Sequence, residues 1–541
     1  MHKILAIFLV FHIFLTFGCT TKDNDNKTNN LLLLGLLLSQ NNCPVGRGAF
    51  WTGDFATGGY RCTRVELRAE GEKFRIWEEK DLAKVREQNS IPQIDFQEIR
   101  NELQNNALPK LFAALGEPSD VNQDGKVDIA IINLSQFFGS RGAFVAGYFT
   151  PLDLFKAGRG LRSNQREIVY IDGVNLGKAL AVKKLLGKPN PILAVIAHEM
   201  QHLIRWPHSA RVDRNQLIPI PKTLQEFDEY FDDGDSLWID EGTSELSMDI
   251  AGYGPQEDRL SCLRNDPGYG CQLGIQGKTL YDFFGSILDY SMSYAWISFL
   301  YHNSGSNLSE RNAFLKDTVT NSDLNLRGRN IVSLLNRYRN SPKFQANSSG
   351  IFQGVDNSQK TLIRLQAGFL ANFFKYPNSS TTTAQYGTQA LPVDISNGGN
   401  NLLNILSFPP SLQAIQNQPS FIPLVNNNPS VFELLPGQMY RVQGPVPSFT
   451  ESNLKVGIVN NSNEYAIFNT DTDEKGYAAV AKGGVFPSGT AGIQAFRKKW
   501  GLERKPELFL PKIEKQTWVS GYPYFKKRFV WDILEEGFYN P

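Results

Sequence analysis

One pentapeptide, His198-Glu199-Met200-Gln201-His202, restricts this chain more than any other feature. It falls near the end of an apolar, helix-forming run at residues 191–206. Side chains four apart on a helix share a face, so His198 and His202 can offer imidazoles to one metal ion from adjacent turns. Glu199, one step round, then stands close enough to take a proton from a water beside that ion. Histidine is otherwise scarce: the chain has six, and His2 and His12 lie in the first eighteen residues. The bland alternative is a chance match on a surface helix, but Leu193, Val195 and Ile196 just ahead of the motif do not suit a face turned to water.

Two histidines do not complete a catalytic zinc centre, which takes three protein ligands and keeps a fourth position open. Two candidates for the third stand in the sequence. Glu241 lies in Trp238-Ile239-Asp240-Glu241-Gly242-Thr243-Ser244-Glu245, near the start of a second helical pattern at residues 237–251 with Asp235 or Ser236 as its N-cap. Glu245, four residues on and on the same face, could hold a ligand imidazole through its other nitrogen. Taken singly, either acid also reads as an ordinary first-turn residue favoured by the helix dipole. His208, ten residues after His198, has the spacing of a three-histidine site, but that site needs a glycine where this chain has Arg205, and Pro207 constrains the backbone further. The helix geometry favours Glu241.

Ala197-His198-Glu199-Met200-Gln201-His202-Leu203-Ile204 followed by Trp238-Ile239-Asp240-Glu241-Gly242-Thr243-Ser244-Glu245-Leu246 resembles the hyicolysin family of bacterial metallopeptidases. The Trp-x-Asp-Glu-Gly portion also resembles the third-ligand helix of gluzincin aminopeptidases. Gly147-Tyr148-Phe149-Thr150-Pro151-Leu152-Asp153 and residues 163–172 extend the resemblance, which covers roughly residues 105–310. It implies Zn2+ held by His198, His202 and Glu241, with Glu199 as the proton-transferring residue in peptide-bond hydrolysis. The separation of His202 from Glu241 is longer than in compact gluzincins. For the oxyanion, Tyr294 is one candidate donor and His302 another, with helix packing the simpler reading of both. The run 167–172 resembles the zincin edge strand that pairs with an extended substrate, which favours an endopeptidase acting on protein or peptide substrates.

Asp120-Val121-Asn122-Gln123-Asp124-Gly125-Lys126-Val127-Asp128 matches the start of an EF-hand loop. The twelfth position is Ile131, so the bidentate glutamate is missing. The expectation is a structural Ca2+ loop formed by Asp120, Asn122, Asp124 and the Lys126 position and completed by Asp128; a plain Asp/Asn/Gly turn is the alternative.

Residues 1–18 read as an export signal, with Lys3 ahead of an apolar run too short to span a bilayer. Leu15-Thr16-Phe17-Gly18 before Cys19 looks like a relaxed lipobox, which makes Cys19 the lipidated residue and 19–42 a polar tether. The expected location is the outer membrane or surface of a bacterium, with plain secretion as the alternative. Four further cysteines, Cys43, Cys62, Cys262 and Cys271, suggest disulfides, and proximity favours Cys43–Cys62 and Cys262–Cys271. A net charge of +1 with no dense basic block gives nucleic-acid binding no electrostatic support.

The expected fold class is α+β. A zincin-like metallopeptidase domain of mixed sheet and active-site helices spans 43–376, a linker 377–400, and a mainly β domain of unassigned role 401–541. Within the first domain the patterns predict a hairpin region over 50–67, a charged helical stretch from 78 to 112, buried strands over 127–134 and 166–172, and helices over 281–301 and 358–374. A competing function of another class is a non-catalytic adhesin or binding lipoprotein that keeps the fold; an intact Glu199 argues against it.

Overall fold

The computed structural model describes residues 43–54, 59–134, 143–158, 161–221, 226, 230, 236–264, 266, 271, 279–281, 283, 286–320, 330–373, 383–386, 389–394, 405–413, 415, 436–443, 454–460, 464–472, 474 and 517–520. The leader, Cys19 and the tether lie outside them. No described helix is long and apolar enough to cross a membrane.

The centre is a mixed sheet of strands β1 (Ala49–Asp54), β2 (Gly59–Glu70), β3 (Phe74–Glu79), β4 (Val127–Ile132), β5 (Ala143–Phe149) and β6 (Ile168–Asp172). Their order across the sheet is β1-β2-β3-β4-β6-β5. The expected hairpin is the antiparallel β1–β2 pair, held also by the Cys43–Cys62 disulfide (Cα–Cα 5.4 Å). β4 and β6 are parallel neighbours with every residue buried, because both faces of the sheet are covered. The period of two sends Ile129, Ile131, Val169 and Ile171 into the main core and Ala130, Ile132, Ile168 and Tyr170 into a smaller one on the opposite face.

Helices α1 (Leu82–Gln88), α2 (Phe96–Glu102) and α3 (Leu108–Leu115) connect β3 to β4. The charged stretch from residue 78 was expected to be helical throughout. Its first residues instead belong to β3, where Glu78 turns inward and pairs with buried Arg86. After β6 come α4 (Asn175–Leu185), α5 (Pro191–Ser209), α6 (Leu237–Ala251), α7 (Glu257–Leu263) and α8 (Ile287–His302). Then follow α9 (Leu308–Thr320), α10 (Ile331–Arg339), α11 (Pro342–Ala346) and α12 (Ser358–Phe373). α5 starts at Pro191, pre-set for a first helical position, with the Asn190 side chain accepting from the Ile192 N–H. It is buried nearly all round, as a helix with apolar residues on every side must be. α6 ends at Gly252, whose φ of +94° suits only glycine, with the Gly252 and Tyr253 amides closing onto the last turn.

Two expectations are corrected. The run 167–172 is not an edge: β6 is interior, and the strand beyond it is β5. Described residues beyond 376, which were expected to form a linker and a separate β domain, also pack on the first part. A hairpin of β7 (Thr383–Tyr386) and β8 (Gln389–Asp394) falls inside the expected linker. A three-stranded sheet follows, built of β9 (Met439–Gln443), β10 (Leu454–Asn460) and β11 (Glu464–Asn469). Leu406, Phe408, Leu412, Ile415, Met439 and Phe468 enter the same core as α8 and α12. Glu474 accepts from Ser236 and Trp238 at the start of α6, and the Tyr281 hydroxyl donates to the Asp471 carbonyl. Finally β12 (Thr517–Ser520) pairs in parallel with the outer edge of β5 and closes the main sheet.

Candidate metal centre

α5 and α6 pack side by side, and α6 lies in turn against α8. That contact brings three side chains together. His198 Nε2 and His202 Nε2 are 3.3 Å apart. Glu241 Oε2 is 3.2 Å from His198 Nε2, and Glu241 Oε1 is 3.6 Å from His202 Nε2. Among the described residues this is the group whose ligand atoms converge as a metal ion requires. Zinc–ligand bonds of about 2.0–2.1 Å at tetrahedral angles put neighbouring ligand atoms about 3.3–3.4 Å apart. The observed spacings are close to that.

Charge points the same way. Glu199, Asp240, Glu241 and Glu245 are all buried here, and the buried cations beside them are Arg205 and Arg259. Four carboxylates against two guanidinium groups leave a negative excess that a divalent cation offsets. Burial pushes the His198 imidazole down to about 4. Burial acts on His202 in the same direction, but the carboxylates of Glu241 and Asp240 outweigh it and hold His202 up at about 10. Burial would raise Glu241, yet the two imidazoles bring it below the usual carboxylate range. Glu245 is raised by burial to about 7, with Arg259 opposing.

Each imidazole is flanked at its far nitrogen. His202 Nδ1 donates to Asp240 Oδ1 at 3.3 Å, and Arg205 stands 3.4 Å from that oxygen. His198 Nδ1 faces Glu245 Oε1 at 3.7 Å, and Arg259 donates to that oxygen at 3.0 Å. A carboxylate at Nδ1 leaves Nε2 as the lone-pair nitrogen aimed at the shared point. Glu199 is fully buried beside β5. There Gly147 makes the room: a Cβ at that position would lie 2.7 Å from Val195 Cγ1 and 3.1 Å from Glu199 Cγ.

The structure thus gathers His198, Glu199, His202, Glu241 and Glu245, and the remaining candidates lie elsewhere. α5 continues through Pro207 to Ser209, so His208 rides about 15 Å along the axis from His198. The Tyr294 hydroxyl, a candidate oxyanion donor, donates to Asp249 Oδ2 at 2.9 Å, eight residues beyond Glu241 on α6. The tyrosine beside the centre is Tyr290, one turn earlier, whose ring lies 6.3 Å from that of His198. His302 ends α8 between Arg311 and Ser407. Sequence reasoning missed Asp240 and Arg205. Their signal was position: Asp240 precedes Glu241, and Arg205 follows His202 by three, on the same face.

The loop expected to hold calcium is tied by internal hydrogen bonds. Asp120, Asn122 and Asp124 spend side-chain oxygens on the amides of Gly125, Asp124 and Lys126, as an Asx turn does. Asp128 is wholly buried and accepts from Arg75, Arg166 and Trp77, so its carboxylate already has its cations. Lys126 carries its ammonium away to Glu70. The second disulfide, Cys262–Cys271 (Cα–Cα 5.2 Å), anchors α7 behind the metal ligands.

No family model matches the chain. The neutral metalloprotease ShpI of Staphylococcus hyicus is 26% identical over 278 residues, which are 51% of this chain and 56% of that protein. The chain therefore spans about half the length of the curated relative it matches. The similarity is to a metalloprotease, and it accords with the His-His-Glu group described above.

Proposed function

We propose that this chain is a zinc-dependent metalloendopeptidase of the hyicolysin type, exported and held at a bacterial membrane surface by lipid on Cys19. The observation that carries the reading is the convergence of His198, His202 and Glu241 beside buried Glu199. The donor set, two imidazoles and a carboxylate, suits zinc, and the spacing suits its tetrahedral habit. When bound, zinc supplies Lewis acidity, polarising a carbonyl and making water a nucleophile near neutral pH.

The protein's own residues do the rest. Glu199 is placed to take a proton from the attacking water and to hand it to the leaving amine nitrogen. Asp240 and Glu245 fix the imidazole orientations, so the ligand atoms need no rearrangement during the reaction. Burial of all these groups strengthens each charge interaction. Protein and peptide substrates follow from the metalloprotease relative, and export accords with two bridged cysteine pairs.

The test is hydrolysis of a denatured protein by the full chain, with and without chelator, beside Glu199→Ala. Cleavage is expected to vanish with chelator and to fall by about 1,000-fold or more in the variant, while zinc content stays at the wild-type level. Equal cleavage by both proteins would reject Glu199 as the base. Zinc uptake without any cleavage by the wild type would favour the non-catalytic binding protein.

A further inference from the structure

Arg259 holds two groups that flank His198, Glu245 and Tyr290. One guanidinium nitrogen donates to Glu245 Oε1 at 3.0 Å, and that oxygen faces His198 Nδ1 at 3.7 Å. Another donates to Asp258 Oδ2 at 2.9 Å. The guanidinium carbon lies over the Tyr290 ring, 4.8 Å from its centroid, and that ring stands 6.3 Å from the His198 ring. The side chain is fully buried. Its helix, α7, is short, but Cys262, three residues on, is bridged to Cys271, so this end of the chain is tied in place.

From this geometry, and resting on the metallopeptidase reading above, we infer that Arg259 is a positioning residue for the His198 imidazole. It fixes Glu245 and Tyr290, both beside the ring, and so aims His198 Nε2 at the metal position. The arrangement needs a fork: one group must reach two carboxylates through different nitrogens and rest its charge over an aromatic face. A lysine ammonium keeps the charge and loses both the fork and the stack. His202 has a counterpart in Asp240 and Arg205, but Arg205 sits on the ligand helix itself. Arg259 comes from a separate element, so its removal leaves the ligand helices' sequence untouched.

The experiment is zinc affinity by competition with a chromophoric chelator, on the full chain. Its panel is wild type, Arg259→Lys, Arg259→Met, Glu245→Gln and the Glu245→Gln/Arg259→Met double variant. Metal-free thermal melts report folding, and cobalt(II) absorption reports ligand geometry. Arg259→Lys and Arg259→Met are each expected to weaken zinc binding by about 10- to 100-fold and to alter the cobalt spectrum. Arg259→Lys is expected to do so with its melting midpoint near that of wild type. In the Glu245→Gln background Arg259→Met is expected to cost less than it does in wild type, because the route through Glu245 is already cut and only that through Tyr290 remains. Should Arg259→Met fail to fold, Arg259→Lys and Glu245→Gln decide the matter. Wild-type affinity and spectrum in folded Arg259→Lys, or full additivity in the double variant, would overturn the inference while the metal centre stands. A wild-type chain that takes up no zinc would instead overturn the metallopeptidase reading, and the role of Arg259 with it.

Discussion

Gly242, the residue after Glu241, gives the sharpest test of how the centre is built. It lies where α6 crosses α8. A Cβ there would sit 2.7 Å from the Ser293 carbonyl oxygen, 2.9 Å from its carbon and 2.8 Å from Ile297 Cγ1. Two of these are backbone atoms, which cannot rotate away. Ordinary contact begins at 3.4 Å, so α6 must withdraw by about 0.7 Å. Two effects oppose each other in Gly242→Ala. Alanine in a helix interior is favoured over glycine by about 1 kcal/mol. Overpacking a dense contact costs about 1–3 kcal/mol. The overlap with backbone decides the sign, and the variant should be less stable by up to about 2 kcal/mol. Withdrawal from α8 also drives α6 toward α5, which disturbs the 3.2 Å and 3.6 Å spacings between Glu241 and the imidazoles. Urea unfolding of metal-free protein measures the first effect, and zinc competition the second. An alanine variant stabilised by about 1 kcal/mol, with zinc affinity unchanged, would refute this packing argument.

Other outcomes follow from buried charge. Burial raises Asp153 to about 7, though Tyr170 and Asn164 donate to it. Its folded pKa exceeds the ordinary 3.8, so its contribution is present below that value and is lost as pH rises toward 7; Asp153→Asn should flatten that decline, measured by unfolding at each pH, and an unchanged profile would exclude Asp153 as its source. Stripping the metal should lower stability by about 4 kcal/mol when free zinc had stood at 1,000 times its dissociation constant, read as a fall in melting midpoint that zinc restores and calcium does not. Millimolar calcium should leave the midpoint of wild type where it was, because Asp128 is committed to Arg75 and Arg166; a clear rise would reinstate the loop as a cation site.

The ligand helices were legible because their information is local. A four-residue interval on an apolar helix puts two imidazoles on one face, and Asp-Glu-Gly near a helix start brings one carboxylate in reach. Gly242 has a reason the motif alone does not state: α8 passes too close for a side chain. The strand over 127–132 was legible from an apolar run interrupted only by Asp128, and that over 168–172 from the alternation along 167–172. Their neighbours were not, because sheet order depends on contacts distant in sequence; hence β6 read as an edge while β5 and β12 lie beyond it. Tyr294 and Tyr290 sit one turn apart on a helix buried all round, so periodicity could not say which faced the imidazoles. The polar stretches after residue 376 read as a boundary. Yet Met439 and Phe468 are core residues of the main body, placed there by tertiary packing that composition does not encode.

Zinc per chain, measured after dialysis against limiting zinc for wild type, Glu241→Ala and His208→Ala, tests the central claim most directly. One zinc is expected in wild type and in His208→Ala, with the metal lost from Glu241→Ala. Full zinc retention by Glu241→Ala, or its loss from His208→Ala, would contradict the His198–His202–Glu241 centre.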